Sequence, residues 1–269
     1  CGGYVDASKK NDMPSEKDYI VIASESTSNI DKALTNGIEE VKMPSETDSI
    51  LNENDARVVK LNKTEVANLR QENVLVEEDI NISATSSKLL SSKSIDNDFS
   101  VLGIRQEKNE DITSKMSVAL IDSGVDMDSN YQVRHRVNFL NDASEITYLD
   151  DESGHGTSIA NVMTEINPNI IIESLKVLDE SNYGKLSSIV SALYWCIDHK
   201  IKIVNMSFST KTNSKVLHKA IKDAHDAGLL MIAATGNDGN DSMVEYPAAY
   251  PEVIAVGGVD WKGKISEIS

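Results

Sequence analysis

Cysteine is nearly absent: the 269-residue chain has two, Cys1 and Cys196. They are too few for a disulfide framework and lack the spacing of metal ligands. Positive charge is scarce as well, with 26 Lys+Arg against 43 Asp+Glu and a formal net charge of −17. So acidic a surface repels phosphate backbones, which argues against nucleic acid and anionic membrane as partners. No apolar run approaches the roughly 18 residues that a membrane helix needs. The material of a core is present, with 40% hydrophobic and 26% charged residues. These are globular proportions that exclude wholesale disorder, in a length suited to one large domain or two smaller ones.

Residues 1–17 form a polar lead-in. Its opening Cys1-Gly2-Gly3 is similar to the start of a bacterial lipoprotein after signal cleavage, with lipid on Cys1; an accidental fragment boundary is the alternative. From Tyr19 the texture changes. Tyr19–Ala23, Arg57–Leu61 and Val74–Val76 read as strands, Ile30–Val41 has helical spacing opened by Ser28-Asn29, and Thr64–Arg70 reads as a short helix with Thr64 as N-cap. Residues 18–82 are therefore expected to form a small α+β domain. Residues 83–100, rich in Ser, Lys, Asn and Asp, read as a linker and as the segment most open to proteolytic maturation. From residue 101 a strand–helix rhythm begins. Ser117–Ile121, Ile170–Val177, Lys202–Met206, Leu229–Ala234 and Val253–Val256 are near-continuous apolar runs, and Leu186–His199 and Lys215–Ala227 have helical period, the latter ended by Gly228. That pattern specifies a doubly wound α/β domain with a parallel sheet over 101–269.

In such sheets ligands bind beyond the C-terminal ends of the strands, and three polar groups fall there. Asp122 comes directly after the strand ending at Ile121, within Asp122-Ser123-Gly124-Val125-Asp126. His155 stands in Ser153-Gly154-His155-Gly156-Thr157 before a helix-patterned run. Asn237 lies in Ala234-Thr235-Gly236-Asn237-Asp238-Gly239. Each alone reads as an ordinary turn. Together, in order and at one sheet edge, they are the supporting parts of acyl-transfer catalysis: an Asp to orient a His, a His to take a proton, an amide to donate to an oxyanion.

These motifs resemble the subtilisin-type serine proteases, the subtilases. Asp122 and His155, 33 residues apart, match the family's Asp and His motifs. Ile203-Val204-Asn205-Met206-Ser207 resembles the strand along which substrate lies, and Ala233–Asn237 resembles the oxyanion segment. Tyr246–Pro251 and Val253–Gly257 resemble the stretch C-terminal to that segment in the family. The resemblance implies Asp122, His155 and Asn237 as catalytic residues. It implies Ser207, Phe208, Ser209, Ala234 and Gly236 as substrate-binding residues. It further implies a peptide substrate, a location outside the cell and, from Tyr19-Ile20-Val21 and Val74–Asp79, a propeptide that acts as internal inhibitor. Calcium binding is a family trait, but no contiguous carboxylate loop marks a site. Two features depart from the pattern. The family's nucleophile lies in a Gly-Thr-Ser-x-Ala segment that begins a helix, and the sole Gly-Thr-Ser, Gly156-Thr157-Ser158, belongs to the His motif and cannot serve as both. The expectation is a chain truncated before its nucleophile and inactive as it stands. Ser209 replaces a usual Gly and is expected to narrow the substrate pocket. Such a pocket suits a dedicated processing enzyme, for instance for bacteriocin leaders; the competing reading is a pseudoprotease acting as a binding module. His135, His199, His218 and His225 show no partners in sequence, and Cys196 beside Trp195 reads as core packing.

Overall fold

The computed structural model describes residues 15–24, 30–34, 38–72, 74–85, 115–128, 130–140, 149–239, 243–260 and 262–266. Cys1, the rest of the lead-in through residue 14, and residues 86–114 lie outside them.

The strands of the N-terminal unit are β1 (Lys17–Ala23), β2 (Glu39–Glu40), β3 (Ala56–Leu61) and β4 (Val74–Glu78), and its helices are α1 (Ile30–Ala33), α2 (Ser45–Glu53) and α3 (Lys63–Gln71). The strands form one sheet ordered β2-β3-β1-β4, every neighbouring pair antiparallel. Alternation sorts β1 between two cores: Val21 packs with Val59, Leu61, Val66 and Leu69 beneath α3, while Ile20 and Ile22 face the cluster that continues into the second unit. Two expectations shift here. The helix read over 30–41 contracts to α1, and Glu39 and Glu40 pair with Lys60 and Val59 instead. Strand pairing outweighs helical spacing. The cap of α3 is Asn62 rather than Thr64, because Asn62 Oδ1 accepts from Thr64 N and Glu65 N while the Glu65 carboxylate accepts from Asn62 N, which closes a capping box.

The strands of the second unit are β6 (Ser117–Asp122), β7 (Val133–Asn138), β8 (Ile171–Lys176), β10 (Ile203–Met206), β12 (Leu230–Ala234) and β13 (Val253–Val256). They form a six-stranded sheet in the order β13-β12-β10-β6-β8-β7, parallel throughout. Helix α4 (His155–Ile166) covers one face, packing Ala160 against Val118, Leu120 and Ile172. Helices α5 (Leu186–Asp198) and α6 (Lys215–Asp226) cover the other. The doubly wound parallel architecture is thus as the apolar runs imply. Helix α5 is buried along all of Leu186–Cys196, as an all-round apolar helix must be; the sheet lies on one side and α2 of the N-terminal unit packs on the other. Helix α6 is opened by Ser214, whose hydroxyl accepts from Leu217 N at 3.0 Å, and is closed at Gly228 (φ +87°), whose N–H donates to His225 O.

A third sheet joins the two units. Strand β5 (Asn81–Ala84) lies between β9 (Tyr183–Lys185) and β11 (Phe208–Ser209) and is antiparallel to both. The first residues of the expected linker are therefore ordered strand: Ser83 pairs with Ser209, Ala84 with Phe208, and Thr85 N donates to Ser207 O at 3.0 Å. A polar segment with one buried apolar anchor, Ile82, is held by backbone bonds on both edges rather than by its own composition.

Candidate active site

Register decides what meets at the C-terminal edge of the sheet. Met206 of β10 is level with Ile121 of β6 on one side and with Ala233 of β12 on the other. Ser207 therefore lies between Asp122 and the turn at Ala234–Asn237. His155 enters from the first residue of α4, behind Gly154, whose φ of +76° suits a residue without a Cβ. The His155 Nδ1 to Asp122 Oδ1 distance is 2.6 Å, with Asp122 fully buried and His155 at 7% exposure. Asp122 Oδ1 also accepts from Ser123 N at 2.8 Å, a donor set that suits a carboxylate with Nδ1 carrying the proton. Burial pulls the imidazolium down, but the hydrogen bond and charge of Asp122 outweigh it and hold His155 above its ordinary value.

A second acid, Asp151, organises the loop before α4. Its Oδ1 accepts from Ser123 Oγ at 2.8 Å and Gly154 N at 2.9 Å, and its Oδ2 from Thr157 N and Thr157 Oγ1 at 2.8 and 2.6 Å. Ser123 Oγ in turn accepts from Gly156 N. Gly156 is required by contact: a Cβ there would stand 2.1 Å from Gly124 O and 3.2 Å from Asp122 Oδ1. Sequence reading passes over Asp151, although an acid just ahead of a helix start is a recognisable loop-capping signal. Ser158 is a residue of α4 whose hydroxyl donates to Gly154 O at 2.7 Å, so the lone Gly-Thr-Ser is helical structure around the His motif.

The remaining expected residues fall on both sides of the groove. Phe208 is fully buried and anchors β11; Ser209 is the second residue of that strand, paired with Ser83 of β5, and Ser207 immediately precedes it. Ala234 and Gly236 line the β12 side, Gly236 buried at φ +109°, and Asn237 stands exposed in the turn beyond it. The histidines expected to be unpartnered are not all so. His135 Nδ1 lies 2.8 Å from the buried Glu173, His218 Nε2 lies 3.1 Å from Glu252 with its ring stacked on Tyr250, and His199 stacks on Trp195. Cys196 is buried as expected. Among the described residues no group of three or more His, Cys, Asp or Glu could hold a metal ion, so no calcium ligands are assigned.

Two acids of the N-terminal unit also reach the second. Glu77 Oε1 accepts from Lys215 N at 2.8 Å, and its Oε2 from the Ser214 hydroxyl and Val216 N, at the start of α6. Asp79 accepts from Ser187 N and Ser187 Oγ, both at 2.8 Å, at the start of α5. Each carboxylate faces the positive end of a helix dipole.

A parallel α/β sheet with a buried Asp–His pair at its C-terminal edge, Asp first in the chain, is the architecture of a subtilisin-like protein. The chain belongs to the subtilase family, whose sequence profile matches residues 113–269. It is 34% identical over 176 residues to the minor extracellular protease Epr of Bacillus subtilis (strain 168), covering 62% of this chain and 27% of that protein. It is 34% identical over 160 residues to subtilisin of Bacillus pumilus, covering 55% of this chain and 58% of that one. Subtilisin E of Bacillus subtilis (strain 168) gives 34% over 160 residues, 55% and 42%. The chain thus spans between about a quarter and three-fifths of the length of these relatives. No helix among the described residues is long and apolar enough to cross a membrane.

Proposed function

We propose that residues 101–269 carry the acid–base and substrate-holding half of a subtilisin-type serine endopeptidase, and that residues 18–85 are its propeptide, docked as an internal inhibitor. One observation carries the reading: a segment of the chain itself, Asn81–Thr85, lies as an extended strand with Ser83–Thr85 against Ser207–Ser209, level with the 2.6 Å Asp122–His155 pair. Substrate would take the same place.

His155 Nε2 is then the general base. A serine Oγ attacks the carbonyl carbon, its proton passes to His155, and the new C–O bond makes a tetrahedral oxyanion that the Asn237 amide receives. Collapse breaks the C–N bond as His155 returns the proton to the leaving amine. Water hydrolyses the acyl-enzyme by the same path in reverse. Asp122 holds Nδ1–H throughout and stabilises the imidazolium. Ser207, Phe208 and Ser209 hold the substrate backbone, and Ala234 and Gly236 wall its side. No motif of this sequence supplies the attacking serine. Action outside the cell accords with a relative named as an extracellular protease. Dedicated processing, such as removal of a bacteriocin leader, accords with Ser209 filling the space that a Gly would leave.

The test is hydrolysis of a quenched-fluorescence peptide library by the full-length protein and its His155→Ala variant. Loss of at least about 10³-fold in kcat/KM is expected for the variant. Unchanged activity would sink the mechanism, and an inactive parent protein would favour the pseudoprotease.

A further inference from the structure

Beside the groove lies a cavity of about 510 Å³ on the β12 side, walled by Thr235, Gly236, Met243, Val244 and Gly258 and bearing two acids, Asp238 and Glu245. Glu245 is wedged between the two walls that a bound chain must touch. The hydroxyl of Ser209, the residue opposite Ser83 in the docked strand, donates to its carboxylate. The same carboxylate lies against Gly236, where an added Cβ would come within 3.1 Å of Oε2. The backbone fixes this placement, since Glu245 N donates to Thr235 O at 2.9 Å and Thr210 and Tyr246 bridge antiparallel. Among the described residues no basic side chain lines the cavity. Lys211, outside that lining, reaches it with its ammonium on Asp238 and within the field of Glu245, so a substrate cation would share these two acids with it.

The structure assigns Glu245 as a specificity-determining residue that selects a positively charged side chain, Lys or Arg, at the substrate position occupied in the docked propeptide by Thr85. This rests on the endopeptidase reading. The position comes from register: Thr85 N is bonded to Ser207 O, and Ser207 lies between the Asp122–His155 pair and the 234–237 turn, so the bond to be cut lies directly beyond it. A carboxylate at the wall of a partly desolvated pocket attracts an opposite charge far more strongly than in water, and it penalises acidic or apolar occupants that leave it unpaired. Ser209 thereby gains a purpose beyond narrowing: its hydroxyl orients the carboxylate. Thr85 carries no charge and its hydroxyl donates to Ser207 O at 3.0 Å, so the propeptide is held by Glu77, Asp79 and β5 pairing rather than by the contact a substrate would use.

The experiment measures kcat/KM of the full-length protein on one peptide series that differs only in Arg, Lys, Phe, Leu or Glu before the scissile bond. Arg and Lys are expected to exceed Phe by at least about tenfold, with the ratio falling as salt is raised. In Glu245→Gln the Arg-to-Phe ratio should drop below about threefold, and in Glu245→Arg the Glu peptide should overtake the Arg peptide. Each is a ratio within one preparation, so a smaller folded fraction does not change it. In the full-length protein Thr85→Arg should speed appearance of a new N-terminus at residue 86. A protein that cleaves the series but shows no basic preference, or keeps it in Glu245→Gln, overturns the assignment while leaving the endopeptidase reading intact. Failure to cleave any member overturns both.

Discussion

Glu77→Ala isolates what holds the N-terminal unit on the second unit. In the wild type the carboxylate accepts Lys215 N at 2.8 Å, the buried Ser214 hydroxyl, and more distantly Val216 N at 3.3 Å. Hydrogen bonds to a charged group contribute about 1.5–3 kcal/mol each, and a carboxylate at a helix N-terminus adds about 0.3–1 kcal/mol. Counting only the two close contacts at their lower limit gives about 3 kcal/mol, which at about 1.4 kcal/mol per decade is roughly a 100-fold shift toward the undocked state.

Native-state amide exchange on the intact chain reads this without any need for catalysis. Protection of Ile82, Ala84 and Thr85, and of the first turn of α6, should fall by roughly 100-fold, whereas β1 and β3, paired within their own sheet, should keep theirs. Glu77→Gln retains the shape with neutral bonds about half as strong, so it should recover part of the loss. Protection of 81–85 within about threefold of wild type in Glu77→Ala would refute the reasoning. So would an equal loss across β1 and β3, because the residue would then be stabilising the fold of the N-terminal unit and not its docking.

Because Asp122 holds His155 above its ordinary value of 6.5, and the base must be neutral to work, the acid limb of kcat/KM for the full-length protein should fall above pH 6.5. An inflection at or below that value contradicts the coupling. The sign for stability is opposite: the pair's contribution is fully present below about pH 6.5 and is lost as pH rises through the folded value, so the Tm difference between wild type and His155→Ala should shrink with rising pH. Gly156→Ala places a Cβ 2.1 Å from Gly124 O and should cost about 3 kcal/mol, or on the order of 10 °C in Tm; a thermal scan showing less than about 2 °C would mean the loop yields freely.

A residue is legible in sequence when its environment is set by its neighbours along the chain. Strands β6, β8, β10 and β12 announce themselves as apolar runs inside a sheet covered on both faces, and Asp122 and His155 sit at its edge in motifs with local glycine requirements. Edge strand β7, with Arg134 and His135 exposed, carries no such run and is missed. So is α2, where only Thr47, Ile50 and Leu51 are buried. Glu173 interrupts an apolar strand for no local reason. Its partners, His135 at 2.8 Å and Arg134 at 3.4 Å, come from β7, so no reading along β8 could supply them. Strand β5 is the extreme case, since its strand state is imposed by β9 and β11, about 100 residues and more away in sequence.

The same distinction explains why the docked strand and the charge-selecting wall are separate devices. Backbone pairing of β5 with β9 and β11 is indifferent to side chains, so any extended segment can use it, and it gives no selectivity by itself. Selection among segments must come from the side pocket. There Glu245 is positioned by contacts with Ser209, Thr235 and Gly236, drawn from two different strand ends. An N-terminal unit that pairs β5 in the groove, carries a neutral Thr85 whose hydroxyl donates to Ser207 O, and adds two helix-capping acids has the composition of a ligand held by everything except the proposed substrate-specific contact. Tight docking and slow turnover of the same segment are then compatible, because the interactions that bind it are not the ones that distinguish a preferred substrate.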